Sequence, residues 1–278
     1  TALKYVQESG FPHHVIAAGS LLGVAVNKGD YSLPVGKVNT MTIHPMTFDE
    51  FMVATGHGLM LEGIREAYAE MHAYQLHDQA MDLYRTYLLV GGMPEAVDAY
   101  ARSGDVRDAV RVHRDTLNLY LADMAKYAPN PTDVARARDV WNSVPGQLAK
   151  ENHKFQYKQV RSGGRASQYD GAISWLLSAG LVDKCVRVSS GQVPVEVKST
   201  ENARSRSLGV YRKKYRPDRV VRVSASNFGT GDVESIPLYA VGCLADGLAL
   251  AQGSSSPLPW SGARYAPDRL KSGPGRPK

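Results

Sequence analysis

The residues whose types and spacing best suit chemistry are Glu196 and Lys198, within the segment Pro194–Ser199 (PVEVKS). In a strand, residues two apart project from the same face, so we expect this carboxylate and ammonium to lie side by side. The same spacing predicts that Val195 and Val197 face the core. A carboxylate that holds Mg²⁺ beside an ammonium that steadies a phosphoryl oxygen is the catalytic half of a metal-dependent nuclease site.

That nuclease site needs at least one further acidic ligand on a neighbouring strand. Asp183 is the only acidic residue between positions 181 and 191, and Glu201 follows shortly after the motif. We therefore expect no second carboxylate within bridging reach and no tightly bound metal. A Glu-x-Lys spacing also fits an ordinary exposed strand face, so the catalytic and the structural interpretations both stay open.

A second chemical candidate is the segment Arg85–Val97 (RTYLLVGGMPEAV), where an apolar helical run meets two glycines and a proline. Gly91 and Gly92 free the backbone, and Pro94 is placed to begin a new helix with Glu95 in its first turn. This pattern predicts an elbow between two helices, either a joint between modules or an ordinary corner. The chain as given contains no GxxxxGK[ST] phosphate loop, which removes the main contacts for tight triphosphate binding. Ser20, which follows a short apolar run, is a candidate nucleotide sensor or a simple turn residue.

Charge is distributed unevenly along the 278 residues. Positions 1–130 carry 10 Lys or Arg and 15 Asp or Glu, whereas positions 131–278 carry 23 and 12, so net charges of −5 and +11 give the total of +6. This asymmetry favours a nucleic-acid-facing C-terminal half, although a solvated basic surface would produce the same count. The candidate DNA-binding residues are Lys158, Arg161, Arg165 and Arg187.

These cations lie within a segment whose element order predicts a winged helix. A helix over 133–149 is followed by a short strand at 157–160, a Gly-Gly loop and a second helix over 167–179 in the recognition position. Segments 181–188 and 193–199 are then expected to pair as a hairpin. The recognition helix offers Ser167, Gln168, Asp170 and Ser174 as polar readers but no arginine for guanine.

Composition sets broad limits on the class of protein. The hydrophobic share of 43% suits globular domains, and the length allows two of them. Cys185 and Cys243 have neither metal-ligand nor disulfide-framework spacing, which favours a reducing cytoplasm. The longest apolar run, Tyr239–Ala251, is too short to cross a bilayer, so we expect no membrane partner. The Gly-, Ser- and Pro-rich stretch from 251 onward predicts a disordered tail.

Taken together, the motifs resemble bacterial and archaeal P-loop ATPases of the AAA-related class. In that family a C-terminal domain of unknown function contains a winged helix and a restriction-endonuclease-like fold. The matching segments cover most of residues 1–245, and they include HVIAAGSLLGV (14–24), IHPMTFDEFM (43–52), YLLVGGMPEAV (87–97), VWNSVPGQLAKENHKFQY (140–157), YDGAISWLLSAGLV (169–182), PVEVKS (194–199) and RSRSLGVYRKKY (204–215).

The resemblance implies an α/β and α+β multidomain protein that binds ATP and Mg²⁺ in its intact form. It places Ser20 at the sensor end of the ATPase core and lays Gly92 and Pro94 against the adenine. The implied domains are, in order, an ATPase-core fragment (1–57), a helical lid (58–130), a winged helix (131–190), a partial nuclease-like sheet (191–250) and the tail (251–278).

Two departures from the family shape the expected function. The family's phosphate loop would precede residue 1, and a long stretch that normally separates the winged helix from the PVEVKS motif is reduced here to a few residues. We therefore expect a truncated, inactive relative of an ATP-dependent, nucleic-acid-associated protein. The alternatives are a non-catalytic DNA-binding remnant, an interaction module that pairs with an intact paralogue or a second copy, and a nuclease that uses Glu196 and Lys198.

Overall fold

A computed structural model of the chain describes residues 9–10, 13–16, 39, 41, 43–127, 131–150, 154–185, 193–200 and 206–251. Over these residues the protein is mostly helical and contains one small sheet of three parallel strands. At this coarse level the predicted mixture of helices and strands is confirmed.

The chain divides into two compact units, and both are discontinuous in sequence. One comprises Thr1–Pro45 and Arg107–Gly191, and the other comprises Met46–Val106 and Gln192–Lys278. We call them the first and the second unit. The second unit thus combines most of the predicted lid with the predicted nuclease-like sheet, two segments that the predicted domain boundaries kept apart.

The second unit begins with four helices, which are α1 (Phe48–Ala54), α2 (Gly58–Glu70), α3 (His77–Val90) and α4 (Pro94–Ser103). Thr47 caps α1 in a capping box, since its backbone N–H donates to Glu50 Oε2 at 2.7 Å and its hydroxyl accepts from the Glu50 N–H. Pro94 occupies the first turn of α4 together with Glu95, and both local predictions are confirmed.

The sheet of the second unit has the order β1 (Val195–Val197), β2 (Val221–Ser224) and β3 (Glu234–Pro237). Helix α9 (Arg206–Tyr215) connects β1 to β2, as a parallel pair requires. A 3₁₀ turn (Leu238–Ala240) and helix α10 (Val241–Ala251) follow β3. Strand β3 was not predicted from the sequence.

The core of the second unit joins helices and sheet. Phe51, Met52 and Ile64 are at most 1% exposed, as are Val221, Val223 and Ile236 from β2 and β3. Tyr239 lies between them and meets the rings of Tyr74, His77 and Phe228. Burial of these large apolar side chains supplies the main stabilisation of the unit.

The first unit contains helices α5 (Val106–Tyr127), α6 (Pro131–Leu148), α7 (Tyr157–Val160) and α8 (Ala166–Ser178). Its buried cluster consists of Ala137 and Val140 from α6 with Tyr169, Ala172 and Leu176 from α8. Trp141, Phe155 and Trp175 pack around this cluster while partly exposed. Helix α8 matches the predicted helix over 167–179 to within one residue. The predicted strand at 157–160 is wrong, because these residues form the single helical turn α7.

Among the described residues, the predicted hairpin does not form. Residues 181–185 form no strand, and Val195–Val197 pairs in parallel with β2 rather than with a segment before it. Valine-rich segments can pair in either direction, and here the crossover through α9 gives β1 a parallel partner in the second unit. The described residues therefore contain no wing of the predicted winged helix, and Arg187 lies outside them.

Candidate functional sites

Glu196 and Lys198 do lie together at the edge of the sheet. Lys198 Nζ is 3.7 Å from Glu196 Oε1, and the side chains are 43% and 14% exposed respectively. Residues two apart in an extended chain project from the same face, so the two side chains lie next to each other, as predicted. The prediction that Val195 and Val197 are core residues is wrong, because they are 40% and 63% exposed. They share a face with the buried Val221 and Val223, but in the described sheet β1 is an edge strand and its valines stay at the margin of the core.

The described residues around this pair do not supply the rest of a nuclease site. The residue beside Glu196 on β2 is Arg222, a cation rather than an acid. Asp183 belongs to the first unit, and Glu201 lies outside the described residues. Within the described part of the chain, no group of three or more His, Cys, Asp or Glu side chains is arranged to hold a metal ion. One carboxylate with a cation on either side is typical of ion pairing on an exposed strand. Mg²⁺ binds to oxygen ligands, and cations next to the carboxylate disfavour it.

The Gly-Gly-x-Pro elbow joins α3 to α4, and its second glycine has a packing role. A Cβ at Gly92 would collide with the carbonyl oxygen of Met46 and lie 2.8 Å from its nitrogen. The Met46 N–H donates to the Gly92 carbonyl at 2.6 Å, while the Tyr87 hydroxyl donates to the Met46 carbonyl at 2.8 Å. Gly92 is thus required by close backbone approach. Pro94 is exposed at this elbow, and Ser20 lies outside the described residues.

Three of the four predicted DNA-binding cations lie on the short connection between α6 and α8. Lys158 is exposed on α7, Arg161 follows it with a 75% exposed side chain, and Arg165 precedes the first turn of α8. Arg161 NH2 is 3.9 Å from Asp139 Oδ2, a distance that leaves its guanidinium largely available. Gly163 (φ 76°) and Gly164 form the turn between the two arginines.

Gly164 explains why this turn is compact. A Cβ there would lie 2.5 Å from the carbonyl oxygen of Tyr157 and 3.0 Å from that of Arg161. The Gly164 N–H donates to the Arg161 carbonyl at 2.9 Å, and the Arg165 N–H donates to Gln168 Oε1 at 3.0 Å. The backbone of the turn is therefore fixed at both ends, which holds α7 against the start of α8.

A shallow pocket of about 260 Å³ opens between this turn and α6. Its lining includes Arg161, Gly163 and Gly164 from the turn and Gln168 from α8, with Arg136 and Asp139 from α6. Sequence reasoning missed Arg136. Arg136 lies three residues before Asp139 and four after Thr132, and this spacing places the three side chains on one face of a helix. From that spacing Arg136 could have been identified as a neighbour of the other two.

Helix α8 presents a polar face opposite its buried one. Ser167, Gln168, Asp170 and Ser174 are exposed, while Tyr169, Ala172 and Leu176 are buried. The Tyr157 hydroxyl donates to Asp170 Oδ1 at 3.0 Å, and this hydrogen bond raises the pKa of Tyr157 above its usual value. The carboxylate thereby ties α7 to α8.

The sequence model of one family, described as a domain of unknown function (DUF8612), matches residues 81–206. The match begins within α3, includes the Gly-Gly-x-Pro elbow and the basic turn (161–165), and ends where α9 begins. No curated protein and no solved structure matches the chain. Among the described residues, no helix combines the length and the apolar character needed to span a membrane.

Proposed function

We propose that the first unit binds duplex nucleic acid, chiefly through its phosphates. The observation that carries this proposal is the arrangement of Lys158, Arg161 and Arg165 around the start of an exposed polar helix face. Phosphate contacts from such side chains supply most of the affinity of sequence-independent binding.

Helix α8 is suited to this task because only one of its faces is needed for folding. Its packing on α6 through Tyr169, Ala172 and Leu176 fixes the helix axis. The opposite face then carries small polar side chains that fit within a major groove. A rigid helix flanked by cations that contact the backbone is the general geometry of helix-turn-helix readers.

The side chains on this face favour binding that tolerates many sequences. Ser167, Gln168 and Ser174 can donate or accept hydrogen bonds, but none forms the bidentate guanine contact of arginine. The Asp170 carboxylate repels phosphates and is engaged by Tyr157. Affinity therefore derives from the backbone contacts more than from the bases.

Fluorescence anisotropy with a labelled 20-base-pair duplex and the full chain tests this proposal. We expect the logarithm of the association constant to fall with the logarithm of salt concentration by about 0.9 per phosphate contact. Replacing Lys158, Arg161 and Arg165 together by Ala should weaken binding and reduce that slope by roughly 2 to 3.

A matched control removes the same charge from the second unit. Arg65, Arg85 and Arg102 have exposed side chains, and changing all three to Ala should leave duplex affinity nearly unchanged. Absence of binding at low salt, or equal losses in the two triple variants, would contradict the proposal. In that case the helices of the first unit act as a spacer.

The resemblance to P-loop ATPases adds a second, weaker candidate, in which the exposed Pro94 and the neighbouring Gly92 contact an adenine ring. The exposure of Pro94 at the elbow favours this contact. Since this chain has no phosphate loop motif, we expect weak ATP affinity and no significant hydrolysis. Calorimetric titration with ATP tests it, because micromolar affinity that survives Pro94→Ala would exclude the elbow as the site.

A further inference from the structure

The C-terminal part of α9 carries a pair of tyrosines, of which Tyr215 is exposed and Tyr211 half-buried, with cations beside them. The rings of Tyr211 and Tyr215 lie 4.6 Å apart between centroids and are tilted by 38°. Tyr215 is 57% exposed, although a tyrosine ring normally contributes buried area. Lys214 Nζ lies 4.9 Å from the centroid of the Tyr215 ring, within the range of a cation–π contact.

Charge around this pair is mostly positive. Arg212 is engaged by Asp232, with NH1–Oδ2 and NH2–Oδ1 distances of 2.8 Å, and this guanidinium holds the pKa of the Asp232 carboxyl below its usual value. Among the described residues, no acidic side chain lies within ion-pair distance of Lys213 or Lys214. Both lysines are exposed.

Part of this charge has an ordinary structural explanation. Cations in the last turn of a helix offset the negative end of its dipole, and α9 ends there with Arg216 at φ 46° before Pro217. Helix capping does not require an exposed aromatic ring beside the cations. The combination of the two is what single-stranded nucleic acids bind, since bases stack on the ring and phosphates contact the cations.

We propose that Tyr215, with Lys213 and Lys214, forms a binding surface for single-stranded nucleic acid. One base stacks on the exposed Tyr215 ring, and the adjoining phosphates contact the two ammonium groups. A duplex offers no free base face within its stack, so this surface selects single strands. It lies in the second unit and does not depend on duplex binding by the first.

The test uses the full chain with fluorescein-labelled dT12 and rU12 in anisotropy titrations. Tyr215→Ala should weaken binding of both about ten-fold, whereas Tyr215→Phe should retain affinity because stacking needs the ring and not the hydroxyl. Replacing Lys213 and Lys214 by Ala should reduce the salt slope by roughly 0.7 for each phosphate that the two lysines neutralise. Val210→Ala, at a 66% exposed position of the same helix, is the matched control and should change nothing.

The outcomes separate this inference from duplex binding. It is supported if the Lys158, Arg161 and Arg165 triple variant still binds dT12 while Tyr215→Ala still binds the duplex. It is overturned if Tyr215→Phe loses as much affinity as Tyr215→Ala, or if neither oligonucleotide binds at low salt. Binding to phosphatidylserine vesicles with no binding to oligonucleotides would also overturn it. Circular dichroism melting confirms that each variant is folded.

Discussion

The two units differ in how far apart their partners lie along the chain. In the first unit the buried cluster joins α6 to α8, two helices of a single continuous segment. In the second unit His77 Nδ1 lies 3.0 Å from the Tyr239 hydroxyl across 162 positions, and the Tyr74 N–H donates to Asn227 Oδ1 across 153. The buried cluster of the first unit can form from residues that lie close together in the sequence. The contacts of the second unit bring together segments that are far apart in the sequence, so their formation costs more loop-closure entropy.

This comparison also shows how polar groups connect remote elements. The Ala225 carbonyl can only accept, so His77 Nε2, at 3.0 Å, donates to it and leaves Nδ1 to accept from Tyr239. Asn227 completes the link, because its amide donates to the Tyr74 carbonyl at 2.9 Å. The chain from α2 to α3 is thereby joined to the loop after β2 and to the 3₁₀ turn.

The largest expected effect is on the second unit, from Phe51→Ala. Phe51 is fully buried, and its ring meets those of Phe48, Tyr87 and Tyr100, so its removal should lower the free energy of unfolding by about 3–5 kcal/mol. Urea denaturation followed by circular dichroism measures the loss. Leu89→Ala, at a 63% exposed position, should cost less than about 0.5 kcal/mol.

Leu176→Ala addresses the first unit in the same way. This fully buried side chain lies between α8 and α6, and its truncation should cost about 2–5 kcal/mol. Trp141 and Trp175 border the same cluster, so in a Trp260→Phe background tryptophan emission reports this unit. Phe51→Ala should leave that emission transition in place. If both variants shift it equally, the two units unfold as one.

Gly92→Ala should have an intermediate effect, about 1–3 kcal/mol, because the new methyl group displaces the Met46 backbone. Gly58→Ala is the matched control, since a Cβ there meets no atom within 4 Å. We expect it to be neutral or to stabilise by about 0.4–1 kcal/mol. Equal thermal melting of the two variants would remove the packing role assigned to Gly92.

Tyr239→Phe should cost about 1–2 kcal/mol. The substitution keeps the buried ring and removes only the hydroxyl that donates to His77 Nδ1. Chemical denaturation measures the loss. The partner change His77→Phe in the same background should then cost less than in the wild type, because the two groups share one hydrogen bond.

The smallest effect concerns the two cysteines. Burial raises the pKa of the Cys243 thiol to about 11, so little thiolate is present at pH 8 and its reaction with Ellman's reagent should be slow. Cys185 is exposed and should react promptly. Since the folded state holds the Cys243 proton more tightly, this group should lower the free energy of unfolding as pH rises from about 9 to 11. Two equally fast thiols would contradict this assignment.

Features that depend on residues close together in the sequence could be predicted from it. The Thr47–Glu50 capping box and Pro94 at the start of α4 depend on neighbours a few positions away. Val106, Ala109, His113 and Leu117 recur every three or four positions, which predicts a helix over 105–126. The structure has this helix at Val106–Tyr127, although Leu117 is 44% exposed. The exposed cations of the basic turn were likewise identified from residue type.

Contacts between segments that are far apart in the sequence could not be predicted from it. The short strand β3 gave no signal of its own, since four residues become a strand only when β2 lies beside them. His77 and Tyr239 likewise meet through the fold and not through any motif. Val195 and Val197 lie on one face of β1, as predicted. Their exposure was not predicted, because it depends on β1 lying at the edge of the described sheet, which spacing cannot reveal.

The position of β1 at the edge of the described sheet affects the tendency of the protein to aggregate at high concentration. In the described sheet β1 pairs on one side only, and its outward backbone is a template on which a foreign strand can add. The strand is only three residues long, Pro194 precedes it and Lys198 follows it. Short length, proline and lysine are the devices by which natural sheets prevent aggregation at their edges. Lys198 thus protects the sheet from strand-by-strand growth, a role that requires no catalysis.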